Sequence, residues 1–370
     1  MRYLAVLGRQ PLISVAELES LFTDVKKVAP ELAEFTAEKK PEIRRLGGTQ
    51  KIAMRIDGTV VDFLKTLPDT GKITLGISDY SRETSAFKAQ GEALKLKRML
   101  LKLGRSVRVV PNKEAVLSSA TSFHNHLFSE TKIELIKYGK IFYRVIGVQD
   151  IDAYVNRDQA RPARDAKVGM LPPKLAQILL NLCGALPESS SVLDPFCGTG
   201  VVLQEAALMG YVPYGTDLSE RMVKYTEKNL DWLYQSHKLN LDRPYIEQGD
   251  ATTHVWKNPI NAVACETYLG QPMSLPPVEI KLKQEKQECG GIIMRFLKNL
   301  ERQVQSGTPV VIAVPAWLRP NGTYERLNLL DEIENLSYNV KSFRNLGQQD
   351  LLYHRDKQVV AREIIILRKK

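Results

Sequence analysis

The sequence predicts an α/β protein whose main sheet is mostly parallel. Residues 191–194 form a short apolar stretch that leads into a glycine turn, and a helix-like run follows at 201–209. Strand-like and helix-like stretches alternate from there to the end of the chain, which is typical of a parallel sheet with helices on both faces. Three of the strand-like stretches end in an acid, namely Asp194, Asp217 and Asp250. Because the carboxyl ends of parallel strands meet at one edge, we expect these acids to lie together.

The glycine turn after Asp194 has the features of a nucleoside-binding loop. Gly198 and Gly200 allow the backbone to approach a ligand closely, and the following helix presents unpaired N–H groups to an anionic group. Such a turn alone is a weak signal, because many α/β folds use one only to pack a helix on a strand. Asp217 strengthens the signal, since dinucleotide-binding folds place an acid about 20 residues further on to bind ribose hydroxyls. Asp250 is placed to meet an adenine amino group.

At 370 residues the chain is long enough for two domains, which we place at 1–155 and 156–370. The first domain begins with a strand, and Ser14 and Glu17 form a predicted capping box for a helix at 15–22. Its further predicted elements are strands near 50–56 and 72–78, a basic helix at 87–103 and a strand at 141–148. This order fits a small ferredoxin-like sheet.

The composition bears on the partners and the compartment. The net charge is +10, and basic residues are concentrated between Arg82 and Arg144, either as a solvated face or as a phosphate-binding surface. The four cysteines form no CxxC pair, which indicates a reduced, cytoplasmic protein without disulfides or structural zinc. His124 and His126 would point to different faces of a helix, so we expect no metal site. No apolar run reaches membrane-spanning length.

The motif Asp194-Pro-Phe-Cys-Gly-Thr-Gly200 resembles the cofactor loop of S-adenosylmethionine-dependent methyltransferases. It is most similar to the tRNA guanosine 2-amino (N2) methyltransferases that carry an N-terminal THUMP-type RNA-binding region. A second segment resembles the lead-in motif of the same family, which precedes the cofactor loop. It reads Arg157-Asp158-x-x-Arg161-Pro162-x-Arg164-Asp165 and runs into Gly169-Met-Leu-Pro-Pro-Lys-Leu-Ala176. The resemblance is strong over residues 157–270.

This resemblance implies a Rossmann-like class I methyltransferase domain preceded by a ferredoxin-like and THUMP-like RNA-binding region. It implies that the strand after Gln358 is the antiparallel strand usual in this class. The implied cofactor is S-adenosylmethionine and the implied partner is tRNA. The residues expected to bind the cofactor are Asp194, Phe196, Gly198, Gly200, Asp217, Leu218, Asp250 and Ala251.

The predicted catalytic strand end departs from the family pattern. The family has Asp or Asn followed by Pro-Pro-Tyr, whose oxygens accept hydrogen bonds from the target amine while the tyrosine stacks on the base. This chain has Cys265-Glu266-Thr267-Tyr268 there, so the tyrosine matches and both prolines are absent. A thiol is a poor acceptor, which makes Glu266 the candidate substitute, although a one-residue slip at a strand end redirects a side chain.

Three consequences of this departure stay open. Glu266 acts from a rearranged loop, the target atom differs, or catalysis is lost. The catalytic candidates are therefore Glu266, Tyr268 and Cys265, and Cys265 is more simply read as a small packing residue at the end of a buried strand.

The arginines of the connector at 150–166 have two possible roles. Arg157, Arg161 and Arg164 either form salt bridges with Asp158 and Asp165 in a polar linker or bind substrate phosphates, for which the guanidinium group is well suited. Arg105 and Arg108, in the basic part of the first domain, are further RNA-binding candidates.

The predicted function is transfer of a methyl group from S-adenosylmethionine to a nucleobase amine of tRNA, guanosine N2 in particular. One alternative is an amino-methyltransferase that acts on ribosomal RNA or DNA. The other is a catalytically impaired RNA-binding protein that retains the cofactor fold.

Overall fold

The chain folds into two units, each built on its own β-sheet. The computed structural model describes residues 1–165, 171–242, 244–356 and 358–370, so Gly169 and Met170 of the lead-in motif lie outside the described residues. The first unit comprises Met1–Pro11 and Phe22–Ala153, and the second comprises Leu12–Leu21 and Tyr154–Lys370.

The first helix, α1 (Pro11–Leu21), lies almost wholly in the second unit, whereas the sequence-based division at 155 assigns it to the first domain. The predicted capping box is wrong, because the helix begins at Pro11, where proline is favoured in a first turn. Ser14 and Glu17 are therefore buried within the helix. Glu17 Oε1 accepts a hydrogen bond of 2.7 Å from Asn181 Nδ2 of the second unit.

The first unit contains an eight-stranded sheet in the part of the chain that the structure describes. Its strands are β1 (Arg2–Leu7), β2 (Thr23–Ala29), β3 (Leu32–Thr36), β4 (Thr49–Arg55), β5 (Ile73–Asp79), β6 (Val107–Val109), β7 (Lys132–Tyr138) and β8 (Ile141–Val148). The order across the sheet is β2-β3-β1-β4-β8-β7-β5-β6. The β7-β5-β6 end is parallel and the remaining pairs are antiparallel.

A buried ion pair links several elements of the first unit. Lys51 Nζ on β4 donates to Glu134 Oε1 on β7 at 2.6 Å, and both side chains are almost fully buried. Ser78 and Ser122 donate to the same carboxylate at 2.5 and 2.6 Å. Buried charges are tolerated only when they are paired and hydrogen-bonded, so these contacts fix the neighbouring strands to one another.

Three helices accompany this sheet, α2 (Val60–Lys65), α3 (Ala86–Lys102) and α4 (Ser119–His124). Helix α3 is capped at its N-terminus by Ser85, whose side chain accepts from Lys88 N, and it buries alanine and leucine side chains on one face. Its opposite face carries Lys95, Arg98 and Lys102, which are exposed. Their spacing of three and four residues places these cations on one side of the helix.

The second unit is an α/β structure whose elements alternate as the sequence predicts. They are α5 (Ile151–Gln159), α6 (Pro173–Leu182), β9 (Ser191–Asp194), α7 (Val201–Leu208), β10 (Val212–Asp217), α8 (Glu220–His237), β11 (Tyr245–Gln248), β12 (Ala262–Glu266), α9 (Glu279–Leu300), β13 (Pro309–Leu318), β14 (Tyr324–Arg326), α10 (Leu330–Glu334), β15 (Tyr338–Val340), β16 (Leu352–Tyr353) and β17 (Val360–Lys369). Helix α5 occupies much of the connector that the sequence suggests is a polar linker.

The main path of this second sheet runs β11-β10-β9-β12-β13-β17-β15. The strands from β11 to β13 are parallel, and β17 lies antiparallel between β13 and β15, which confirms the predicted final antiparallel strand. The order reverses between β9 and β12. Open α/β sheets bind ligands outside the carboxyl ends of the strands at such a switch point, which places the candidate site there.

Candidate functional site

The loop from β9 to α7 depends on two glycines with left-handed backbone conformations. Gly198 has a φ of 52° and Gly200 has a φ of 81°. A Cβ on Gly200 would come within 2.9 Å of the Thr226 side chain, so only glycine fits there without displacement. A Cβ on Gly198 would meet no atom closer than the Phe196 carbonyl at 3.9 Å, which leaves open space beside the loop.

Side chains from β10 and α8 hold this loop in place. Asp217 Oδ2 accepts from Gly198 N at 2.9 Å, and its Oδ1 accepts from Ser219 N at 2.9 Å. Thr226 Oγ1 donates to the Gly198 carbonyl at 2.9 Å. The predicted ribose-binding acid therefore also fixes the shape of the loop, and its oxygens keep lone pairs for further donors.

Asn229 connects the glycine loop to the connector at Ala163. Its Nδ2 donates to the Thr199 carbonyl at 2.8 Å and to the Ala163 carbonyl at 2.9 Å, while its Oδ1 accepts from Ala163 N at 2.9 Å. Sequence analysis does not identify this residue. The available signal is a buried amide among the apolar side chains on the inner face of α8, where a polar group requires partners.

Asp194 is buried beneath the loop and is only 2% exposed. Burial raises its pKa well above the usual range, and the charges of Asp217 and Glu266 add to the rise, while a hydrogen bond from Phe196 N opposes it. Burial also raises the pKa of Asp217. The strand ends thus bring several acids together, as the sequence predicts.

The remaining predicted cofactor residues surround these strand ends. Phe196 is half-buried and meets Phe296 edge-on with 5.2 Å between ring centroids. Leu218 is 70% exposed and Ala251 is buried. Asp250 is exposed after β11, and its Oδ1 accepts from Thr252 N and Oγ1 at 2.9 and 2.8 Å.

At the end of β12, the side chains of Cys265 and Glu266 lie on opposite faces of the sheet. Cys265 is fully buried in the apolar core on the α9 side of the sheet, and burial raises the pKa of its thiol well above the usual range. Glu266 faces the other side and accepts a hydrogen bond of 2.6 Å from Arg362 Nε on β17. Tyr268 is half-buried, and its hydroxyl oxygen accepts from Gln271 Nε2 at 3.1 Å.

Two of the connector arginines make internal contacts. Arg157 Nε donates to the buried Glu205 at 2.7 Å, and its guanidinium group lies 4.4 Å from the centroid of the Tyr154 ring. Arg161 is buried and its Nη2 lies 3.3 Å from Asp158 Oδ1, and burial lowers its pKa.

The other arginine candidates differ in exposure. Arg164 and Arg108 are exposed. The side chain of Arg105 is mostly buried, and it donates to the Leu67 and Pro68 carbonyls within the first unit. Among the predicted RNA-binding arginines, Arg164 and Arg108 are thus the most accessible to a phosphate.

The part of the chain that contains this loop matches a known protein family. Residues 161–250 match the family model described as an RMKL-like methyltransferase domain. This segment is similar to methyltransferases. The resemblance predicted from the glycine loop is therefore confirmed, and the matched stretch contains Asp194, Asp217 and Asp250.

The chain is also similar to curated proteins that are named as methyltransferases. The chain is 30% identical to a protein of Methanothermobacter thermautotrophicus named tRNA (guanine(10)-N2)-dimethyltransferase. The aligned segment of 163 residues covers 44% of this chain and 44% of that one. A protein of the same name from Pyrococcus abyssi is 36% identical over 109 residues, 29% of this chain and 30% of that one. The chain thus matches less than half of the length of these relatives.

A solved structure extends the similarity in fold to the whole chain. TrmN from Thermus thermophilus superposes with a TM-score of 0.50 and 16% sequence identity, and the alignment covers 100% of both chains. This likeness concerns the fold alone and agrees with a Rossmann-like methyltransferase unit.

The described residues contain neither a membrane-spanning helix nor a candidate metal centre. No helix within the described ranges is long and apolar enough to cross a membrane. No group of three or more His, Cys, Asp or Glu side chains among the described residues is arranged to hold a metal ion. The four cysteines are buried and unpaired as disulfides.

The buried acid Asp194 makes stability depend on pH. Because its folded pKa is raised, the native state binds the proton more tightly than the unfolded state, and stability falls as pH rises from the ordinary aspartate pKa of about 4 to the folded pKa. Asp194→Asn does not titrate and can keep the bond from Phe196 N. We expect the variant to be more stable at neutral pH, by more than the roughly 0.5 kcal/mol typical of exposed substitutions.

Urea unfolding of ligand-free protein from about pH 4 to about pH 8 measures this difference. The gap between variant and wild type should widen as pH rises and level off above the folded pKa. Asp250→Asn changes an exposed acid of the same site and is the control. A gap for Asp194→Asn that stays constant across the range would contradict the assignment.

Proposed function

We propose that this protein is an S-adenosylmethionine-dependent methyltransferase that methylates the N2 amine of guanosine in tRNA in the cytoplasm. The observation that carries the proposal is the convergence of the glycine loop, the acids of three parallel strand ends and Glu266 at the switch point of the sheet. The similarity of the chain to proteins named tRNA (guanine(10)-N2)-dimethyltransferase supports the choice of substrate.

The residues at the switch point fit this cofactor. The open space beside Gly198 leaves room for a ligand close to the backbone. Asp217 would bind the ribose hydroxyls and Asp250 the adenine amino group, with Phe196, Leu218 and Ala251 as apolar neighbours. Asp194 and the loop glycines would hold the methionine end. When bound, the cofactor supplies an electrophilic methyl group.

The end of β12 would hold the target base. Glu266 accepts a hydrogen bond from the exocyclic amine, and Tyr268 stacks on the base. Amine methylation needs positioning and exclusion of water more than strong acid–base catalysis, so one well-placed acceptor is sufficient. Cys265 serves as a packing residue, because its side chain lies in the apolar core.

The first unit would be the THUMP-type RNA-binding region. Exposed cations occur on α3, at Lys95, Arg98 and Lys102, and at Arg108 on the edge strand β6. The row of cations on α3 suits a phosphate backbone, because each neutralised phosphate releases counterions. In the second unit Arg164 is the exposed connector arginine and adds to this set.

Mass spectrometry of nucleosides tests the proposed activity. Purified protein is incubated with S-adenosylmethionine and unmodified tRNA transcripts, and N2-methylated guanosine is expected. Ribosomal RNA and duplex DNA are compared in parallel. Cofactor binding without methylation of any of these would instead favour an RNA-binding protein without catalytic activity, and methylation confined to rRNA or DNA would replace tRNA as the substrate.

Asp217 is expected to contribute directly to cofactor affinity. Asp217→Ala should weaken S-adenosylmethionine binding by about 1–3 kcal/mol, because buried donors are left unpaired. Asp217→Asn keeps one acceptor oxygen and should have a smaller effect. Calorimetry on the folded variants measures this, with the exposed Asp231→Ala on α8 as control. Unchanged affinity in a folded Asp217→Ala protein would exclude the role.

The basic face of α3 is tested by substitution, because deleting residues 1–155 would also remove α1, which lies almost wholly in the second unit. Replacing Lys95 and Arg98 with glutamine should weaken tRNA binding. If each contacts one phosphate, the slope of log K against log salt should fall by roughly 0.7–0.9 per lost contact. The exposed Lys39 and Lys40, replaced in the same way, are the control. Equal slopes for both double variants would show that Lys95 and Arg98 on α3 do not contact tRNA phosphates.

A further inference from the structure

A short ion pair joins Glu266, at the end of β12, to Arg362 on β17. Arg362 Nε lies 2.6 Å from Glu266 Oε1, and the two side chains are 6% and 16% exposed. Within the described residues, the second carboxylate oxygen, Oε2, has no hydrogen-bond partner. One oxygen is thus held by the protein and the other remains able to accept a bond.

The pairing of the strands explains how Arg362 reaches this position. Glu266 lies opposite Ala313 on β13, and Pro315, two residues further along β13, lies opposite Arg362 on β17. The arginine side chain therefore crosses β13 diagonally. Ala313 and Pro315 are short, so the sheet surface between the two charges is low enough for a long side chain to cross.

The surroundings of Glu266 make a neighbouring cation necessary. Asp194 and Glu266 are close enough for the glutamate charge to raise the pKa of Asp194, and Asp217 acts in the same direction. Without a cation, a glutamate at this crowded acidic edge would turn towards solvent. A long side chain such as glutamate also has more rotamers than the Asp or Asn of the family pattern, so it needs an external contact to fix its orientation.

We propose that Arg362 is a positioning residue that fixes Glu266 so that its second oxygen faces the target amine. The inference rests on the proposed function and adds to it a residue far away in sequence that compensates for the altered strand end. Arg362 acts through Glu266 and does not itself contact the base. Arginine suits this role because its rigid guanidinium holds a carboxylate in a defined orientation.

A second ion pair on the same strand provides a matched control. Arg326 Nη1 lies 2.9 Å from Glu363 Oε1, the residue that follows Arg362, and these side chains are 20% and 6% exposed. Successive residues of a strand point to opposite faces, so this pair lies on the other side of the sheet. Arg362→Met and Arg326→Met therefore each remove an ion pair, one beside Glu266 and one away from it, and Arg326→Met also removes hydrogen bonds to the Gln348 and Gln349 carbonyls.

The experiment compares methyl transfer to tRNA by the wild type, Arg362→Met, Arg362→Lys and Arg326→Met, after urea unfolding shows that each is folded. Arg362→Met should lower kcat by about 10- to 100-fold, the effect expected of a misplaced catalytic group. Its affinities for S-adenosylmethionine and tRNA, measured by calorimetry, should stay within about threefold of the wild type. Arg362→Lys should restore part of kcat, and Arg326→Met should keep the wild-type value.

A double variant tests whether Arg362 acts through Glu266. Arg362→Met combined with Glu266→Gln should be no slower than Glu266→Gln alone, because the two residues act as one unit. Additive losses would overturn the proposal, as would equal kcat for Arg362→Met and Arg326→Met or a loss confined to cofactor affinity. A wild type that methylates no nucleic acid would overturn the proposed function itself, a result distinct from equal activities of the two methionine variants.

Discussion

The shape of the second unit's candidate site depends on hydrogen bonds from side chains to the peptide groups of the glycine loop. The loop has left-handed glycines and therefore cannot satisfy its polar groups by regular structure. Asp217, Thr226 and Asn229 supply partners from the next strand and helix. Because Asn229 also binds the connector at Ala163, the same side chain orders both the glycine loop and the connector. The cofactor residues and the connector are thus stabilised together.

Local sequence patterns predicted the elements that are apolar and regular. The strands at Ile141–Val148 and Ser191–Asp194 have the predicted bounds, and the order of acids at strand ends follows from the alternation of strands and helices. By contrast, β2 was not predicted, because its side chains are largely exposed and carry no clear alternation. Glu17 resembles a capping residue in sequence, yet its partner Asn181 is remote, and no local pattern indicates such a pairing.

At the candidate site, too, the sequence does not indicate which distant residues pair with one another. The sequence identifies Glu266 as the replacement acceptor, but its partner Arg362 is brought there only by the antiparallel return of β17. Arg157 matches a family motif and could bind phosphate in principle. In the structure its charge offsets the buried Glu205, a contact between residues far apart in sequence. Which arginines stay accessible is decided by tertiary partners, whereas the motif gives only their positions.

The placement of α1 has a consequence for the synthesis of the chain. This helix leaves the ribosome well before the rest of the core to which it belongs, which is formed by residues after 153. Its buried face, including Glu17, must wait until α6 with Asn181 has been made. The intervening residues of the first unit can form their sheet during that interval, since its strands pair with one another and all lie before residue 149. The growing chain is thus expected to expose a largely apolar, unpartnered segment until the second sheet assembles, which gives chaperones a defined target during translation.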